Sequence, residues 1–140
     1  MADELNEGIR IVEHTADWAL QLRGRDLKEL FARAAAGMAY LLAGDVSALP
    51  LEHARDVVLE AYDAEELLVL WLGELAYWAE RDGLVFPKAE LVVVTPAKLV
   101  GTVRGGRPPE FQKHIKAVTY HDLAIREGEQ DLEVTVVFDV

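Results

Sequence analysis

The sequence contains no cysteine. That excludes a disulfide framework, thiolate catalysis and Cys-ligated zinc. Serine occurs only at Ser47, next to no obvious base, so a serine nucleophile is not expected. There is no Gly-rich phosphate loop of the Walker type, no dinucleotide fingerprint and no His-Glu-x-x-His zinc helix. A self-sufficient hydrolase or NTPase is therefore not expected. No apolar run approaches the roughly 20 residues needed to cross a bilayer. The N-terminus, Met1 to Glu7, is acidic and unlike a secretory or organelle-targeting signal, which favours a cytoplasmic protein.

Positive charge is also scarce. Lys and Arg number 14 against 25 Asp and Glu, for a net charge of −11 and a pI near 4.7. Nucleic-acid binding draws most of its affinity from cations that neutralise phosphates, and this field repels RNA at long range. Direct nucleic-acid binding is not expected, and any role in RNA metabolism would run through a basic protein. The local exception, Arg104 to Arg107 followed by Lys113 to Lys116, reads as a solvated loop.

What is present is the composition of a globular protein, 51% hydrophobic and 28% charged. A length of 140 residues suits one domain with one core. Ile9 and Ile11, then Trp18, Leu20 and Leu22, alternate as two strands. Leu27, Leu30, Phe31, Ala34, Met38, Leu41 and Leu42 predict a helix over 27–42, capped by Asp26 with Glu29 placed for a capping box and stopped at Gly44. A short strand is expected at 55–61. Asp63 and Glu66 then open a second helix over 64–81, ended by Gly83. Its stripe is Leu67, Leu70, Trp71, Leu75 and Trp78, widened by Leu68 and Leu72. Further strands are expected at 89–94, 98–104, 116–120, 123–126 and 132–138, separated by turn signals. The expected class is α+β: a mostly antiparallel sheet with two main helices packed on it.

Four features carry possible chemistry. Glu13-His14-Thr15-Ala16-Asp17 concentrates two acids and a histidine between strands, although Asp and Thr often bond local backbone in turns. Leu132, Val134, Val136 and Phe138 keep strand alternation almost to Asp139 and Val140. The Asp139 carboxylate then lies beside an α-carboxylate, and Asp17 is the best third oxygen donor. Such a set selects a hard cation, Ca²⁺ or Mg²⁺; a solvated acidic terminus is the competing reading. In the segment Lys113 to His121, Thr119 and His121 share one strand face, and Lys116 on the other is placed to counter nearby acids. Glu74 projects near the middle of the apolar stripe, where a carboxylate needs a partner or an edge open to solvent. A structural ion pair is the favoured reading there.

Taken in order, Glu13 to Asp17, Trp71-Leu72-Gly73-Glu74-Leu75, Gly83 to Phe86, Lys116-Ala117-Val118-Thr119-Tyr120-His121 and the terminal Asp139-Val140 resemble the archease family across essentially the whole chain. The resemblance implies a small α+β protein that assists the GTP-dependent tRNA-splicing RNA ligase. That ligase joins a 3′-phosphate or 2′,3′-cyclic phosphate end to a 5′-hydroxyl through a guanylylated histidine. An archease promotes guanylylation and multiple turnover and is not itself the ligase. The family's metal ligands match Asp17, Asp139 and Val140, the last through its chain-end carboxyl group, with Ca²⁺ the first expectation. His14, Lys116, His121 and Glu74 are candidates for partner interaction. Trp18 replaces an expected small aliphatic residue, and the loop from Gly105 to Lys113 departs from the family pattern. The alternative is a chaperone-like modulator of a tRNA methyltransferase or another tRNA-processing enzyme; a small metal-dependent hydrolase comes third.

Overall fold

A computed structural model describes residues 2–6, 8–13 and 17–140, with side chains described for 8–12 and 18–140. In chain order the elements are β1 (Ala2–Asn6), β2 (Ile9–Glu13), β3 (Asp17–Gly24), α1 (Leu27–Ala43), β4 (His53–Glu60), α2 (Ala64–Asp82), β5 (Val85–Thr95), β6 (Lys98–Gly106), β7 (Ala117–Thr119), β8 (Arg126–Glu127) and β9 (Leu132–Asp139).

Both helices begin as their caps dictate. The Asp26 side chain accepts from Glu29 N–H at 2.8 Å, and Asp63 accepts from Glu66 N–H at 2.8 Å. The reciprocal arm lands one residue earlier than a capping box requires. Glu29 accepts from Arg25 N–H at 3.1 Å, and Glu66 from Tyr62 N–H at 2.9 Å. Gly44 (φ +78°) and Gly83 (φ +69°) adopt left-handed φ and close the helices by donating to the Tyr40 and Ala79 carbonyls.

The strands form two antiparallel sheets. The larger has the order β1-β2-β3-β9-β7, with β8 also on β9; the smaller is β4-β6-β5. Helix α1 touches β3 of the first sheet and β5 of the second, so it lies between them. One buried cluster joins the layers, including Leu20, Leu22, Val136 and Phe138 from the large sheet and Val57, Leu99 and Val103 from the small one. At Gly37 the helix approaches the large sheet so closely that an added Cβ would stand 3.2 Å from Ile9. The Trp71 indole N–H of α2 donates to the Phe31 carbonyl of α1 at 2.9 Å, tying the helices together.

Several elements differ from the sequence reading. β1 was not expected: Asp3 and Glu4 break any apolar signal, as suits a charged edge strand. β5 begins at Val85 rather than Ala89, because a register shift between Val85 and Lys88 accommodates Pro87, which has no N–H to donate. The strand expected at 123–126 shrinks to Arg126–Glu127, after a turn in which Asp122 takes φ +49°. Leu70 does not join the stripe and is 40% exposed. Leu68, Leu72 and Ala79 carry the buried face of α2 around the other way.

Candidate functional site

The large sheet is organised by β9, which pairs with β3 on one side and β7 on the other. Its apolar alternation sets the register. Leu20 faces Val136 and Trp18 faces Phe138, so the next pair along the ladder is Asp17 opposite Asp139. Across β9, Asp139 opposes Ala117, and Lys116 N–H donates to the Asp139 carbonyl at 2.8 Å. Asp139 is exposed and Val140 half-buried. The backbone thus gathers Asp17, Asp139, Val140 and Lys116 at one end of the sheet. Among the described residues no group of three or more acids or histidines is placed to hold a cation, and the Asp17 side chain lies outside them.

The neighbouring loop is solvated along much of its length, with Arg107, Glu110, Gln112, His114 and Lys116 exposed, yet it is tied to the body of the fold. Gln112 and Lys113 N–H both donate to the Leu42 carbonyl, at 2.7 and 3.3 Å, fastening the loop to the end of α1. Lys113 Nζ lies 3.6 Å from the centroid of the Trp18 ring, a close cation–π contact. Trp18, the departure from the family pattern, thereby forms a platform next to the Asp17–Asp139 pair. Arg104 and Arg107 of this stretch are also engaged. Arg104 pairs with Glu90 at 2.7 Å, and Arg107 donates to the Asp82 carbonyl at 3.0 Å. The Arg104 guanidinium holds the Glu90 carboxyl below its ordinary pKa.

His121 lies farther from this end, because β7 runs away from Asp139. His121 is exposed beyond β7, its N–H donating to Thr119 Oγ1 at 3.3 Å and its ring 3.3 Å from Asp122. The expected Thr119–His121 pair therefore forms through the backbone. Lys116 is exposed and makes no ion pair among the described residues. Glu74 is half-buried on α2, and the ion pair favoured for it is not found among the described residues. It stands roughly a quarter-turn from the centre of the buried stripe, at the edge where a carboxylate reaches water. His14 falls outside the described residues.

One cluster escaped the sequence reading. Arg55 of β4 bonds Asp82 at 2.8 Å and lies 5.0 Å from the Trp78 ring centroid, joining the small sheet to the end of α2. Bonds from Arg81, then Arg55, hold the Asp82 carboxyl far below the usual carboxylate range. The available signal was the parity of Arg55 with Val57 and Leu59 on the inward face of β4.

Two helices with antiparallel sheets, and a sheet end where two aspartates meet, define the class as an α+β protein with an acidic strand terminus. Residues 10–140 match the model of the Archease protein family (MTH1598/TM1083), and the chain belongs to that family. It is 33% identical over 133 residues to Protein archease of Saccharolobus islandicus, covering 91% of this chain and 95% of the relative. Identity to Protein archease of Methanosarcina acetivorans is 36% over 137 residues, covering 92% and 93%. The solution structure of Methanobacterium thermoautotrophicum protein 1598 superposes with a TM-score of 0.77 at 26% identity, covering 96% of this chain and all of that one. A Thermotoga maritima archease called a possible chaperone shares the fold, with a TM-score of 0.63 at 21% identity over 92% of this chain and 94% of that one.

Proposed function

We propose that this chain is an accessory protein of the GTP-dependent tRNA-splicing RNA ligase, promoting its guanylylation and multiple turnover without joining RNA itself. Family membership supports the partner, and the register pairing of Asp17 with Asp139 is the observation that carries the site. Like charges directly opposite in a ladder destabilise it. Two aspartates and the Val140 α-carboxylate make a donor set that is all oxygen, which fits Ca²⁺ first and Mg²⁺ second. A cation held there would neutralise these carboxylates and present positive charge to a phosphate. The chain's own part is to fix the donors: Phe138 and Trp18 set the register, and Lys116 N–H anchors the Asp139 backbone. With a net charge of −11, the surface suits a basic protein partner.

The test is ligation by the partner ligase in single- and multiple-turnover regimes, with and without this protein and with a chelator control. Asp17→Ala and Asp139→Ala should abolish stimulation while the circular dichroism spectrum stays native. Wild-type stimulation by either variant would remove the acidic end from the mechanism. A second reading, a chaperone-like modulator of a tRNA methyltransferase, draws on the exposed Leu70 and Tyr77 of α2. It predicts protection from aggregation that is indifferent to Asp17.

A further inference from the structure

Six of the fourteen Lys and Arg of this acidic chain make ion pairs among the described residues, and a group of arginines is among those that do not. Among its nine arginines, Arg10, Arg23, Arg107 and Arg126 make no ion pair with the described residues. Three of these four, all but Arg107, line one concavity of about 590 Å³ on the large sheet. That volume lies within the range of about 300–1,000 Å³ typical of small-molecule sites.

Strand register explains the convergence. Arg10, Gln21 and Thr135 form one row across β2, β3 and β9. Arg23, Glu133 and Arg126 form the next across β3, β9 and β8. Leu22 and Val134, between these positions in sequence, are buried on the opposite face. Glu133 sits between two arginines, yet no guanidinium nitrogen comes within the 4.0 Å of an ion pair. Among the described side chains Arg10 donates only to Gln21 Oε1, at 3.3 Å, and its ladder partner on β1 is Glu4. The guanidinium groups repel one another, and each offers a planar fork that matches phosphate oxygens. Glu133 and the nearby Asp122, which also lines the concavity, are acceptor-only when ionised. They disfavour a second phosphate and suit hydroxyl donors.

We propose that this concavity binds a small phosphate ester bearing free hydroxyl groups, with its phosphate on Arg10, Arg23 and Arg126 and its hydroxyls on Glu133 and Asp122. The ligand chemistry is that of a phosphorylated sugar, whether free or within a nucleotide. An extended RNA is disfavoured because the rest of the surface repels a polyanion. The site is independent of the acidic end.

The full chain is titrated at low salt with ribose 5-phosphate, inorganic phosphate, ribose and a short single-stranded RNA, followed by backbone amide shifts. Ribose 5-phosphate should saturate, shifting the amides of Arg10, Gln21, Arg23, Arg126 and Thr135. Phosphate should bind more weakly and ribose not at all. Arg23→Gln and Arg126→Gln should each weaken binding by about tenfold to a hundredfold. Both residues are exposed, so thermal melts should show the fold retained. Glu133→Gln should keep phosphate affinity but lose the preference for ribose 5-phosphate. Lys98→Gln, on the small sheet, should change nothing. Lack of saturation by both phosphate probes, equal weakening by Lys98→Gln, or saturation by the RNA alone would each overturn the proposal.

Discussion

Replacing Trp71 by phenylalanine keeps an aromatic ring in place but removes the indole N–H and the outer atoms of the ring system. Trp71 is fully buried, and its N–H donates across the helix seam to the Phe31 carbonyl. A lost internal hydrogen bond costs about 1 kcal/mol. It costs no more here, since that carbonyl lies inside α1 and keeps its helical donor. Two buried ring carbons add about 1.5 kcal/mol, and incomplete collapse of the site raises the total to about 3 kcal/mol. For a chain of this size the melting temperature should fall by about 10 °C. Urea denaturation followed by circular dichroism measures the loss, and an unchanged m-value confirms that the same surface unfolds. Ligase stimulation per mole of folded protein should stay at the wild-type level. A loss below about 1 kcal/mol would refute the view that this bond and ring close the seam between the helices. A stable variant that fails to stimulate would instead show that the packing of the helix seam shapes a partner surface.

Other expectations follow from single sites. Asp82 is held ionised by Arg81 and Arg55, so its folded-state pKa is depressed. Its stabilisation is full above the unfolded value of about 3.9 and lost as pH falls below that. Melts of wild type and Asp82→Asn should converge in acid and separate toward neutrality. At Gly73 an added Cβ meets nothing within 4 Å, so Gly73→Ala should stabilise by about 0.5–1 kcal/mol. A concurrent loss of stimulation would show that a partner approaches α2 there. At Gly105 an added Cβ would collide with the Val85 carbonyl, and Gly105→Ala should cost about 3 kcal/mol, read as a lower urea midpoint.

The helices were legible because each is bracketed by its own chemistry: Asp26 and Gly44 for α1, Asp63 and Gly83 for α2. β9 was legible because one face stays apolar from Leu132 to Phe138. Periodicity failed where a local rule cut across it. Pro87 hides the start of β5, the charges of β1 mask an edge strand, and Leu70 shares the spacing of the stripe without its direction. The candidate site shows the deeper limit. Two acids at the ends of two strands say nothing of pairing, and only the ladder makes Asp17 and Asp139 neighbours. Lys113 on Trp18 has no local signal, because the contact depends on the loop's attachment to Leu42. Arg10, Arg23 and Arg126 likewise each look like an ordinary solvent-facing strand residue until β2, β3, β8 and β9 are laid side by side.

The position of β9 has a consequence for how the molecule reaches its folded state. The ladder from Asp17–Asp139 to Gly24–Leu132 joins strands separated by nearly the whole chain. By contrast, the small sheet is assembled within residues 53–106, much of it from the β5–β6 hairpin. Contacts of such long sequence separation close slowly, because the loop entropy is lost before any pairing is gained. Until β9 docks, β3 has an unpaired edge, and Leu20 and Leu22 lack the cover of Val134 and Val136. An open edge beside apolar side chains is a template for pairing with other chains. The chain should therefore be most prone to aggregation during folding in the interval before β9 docks.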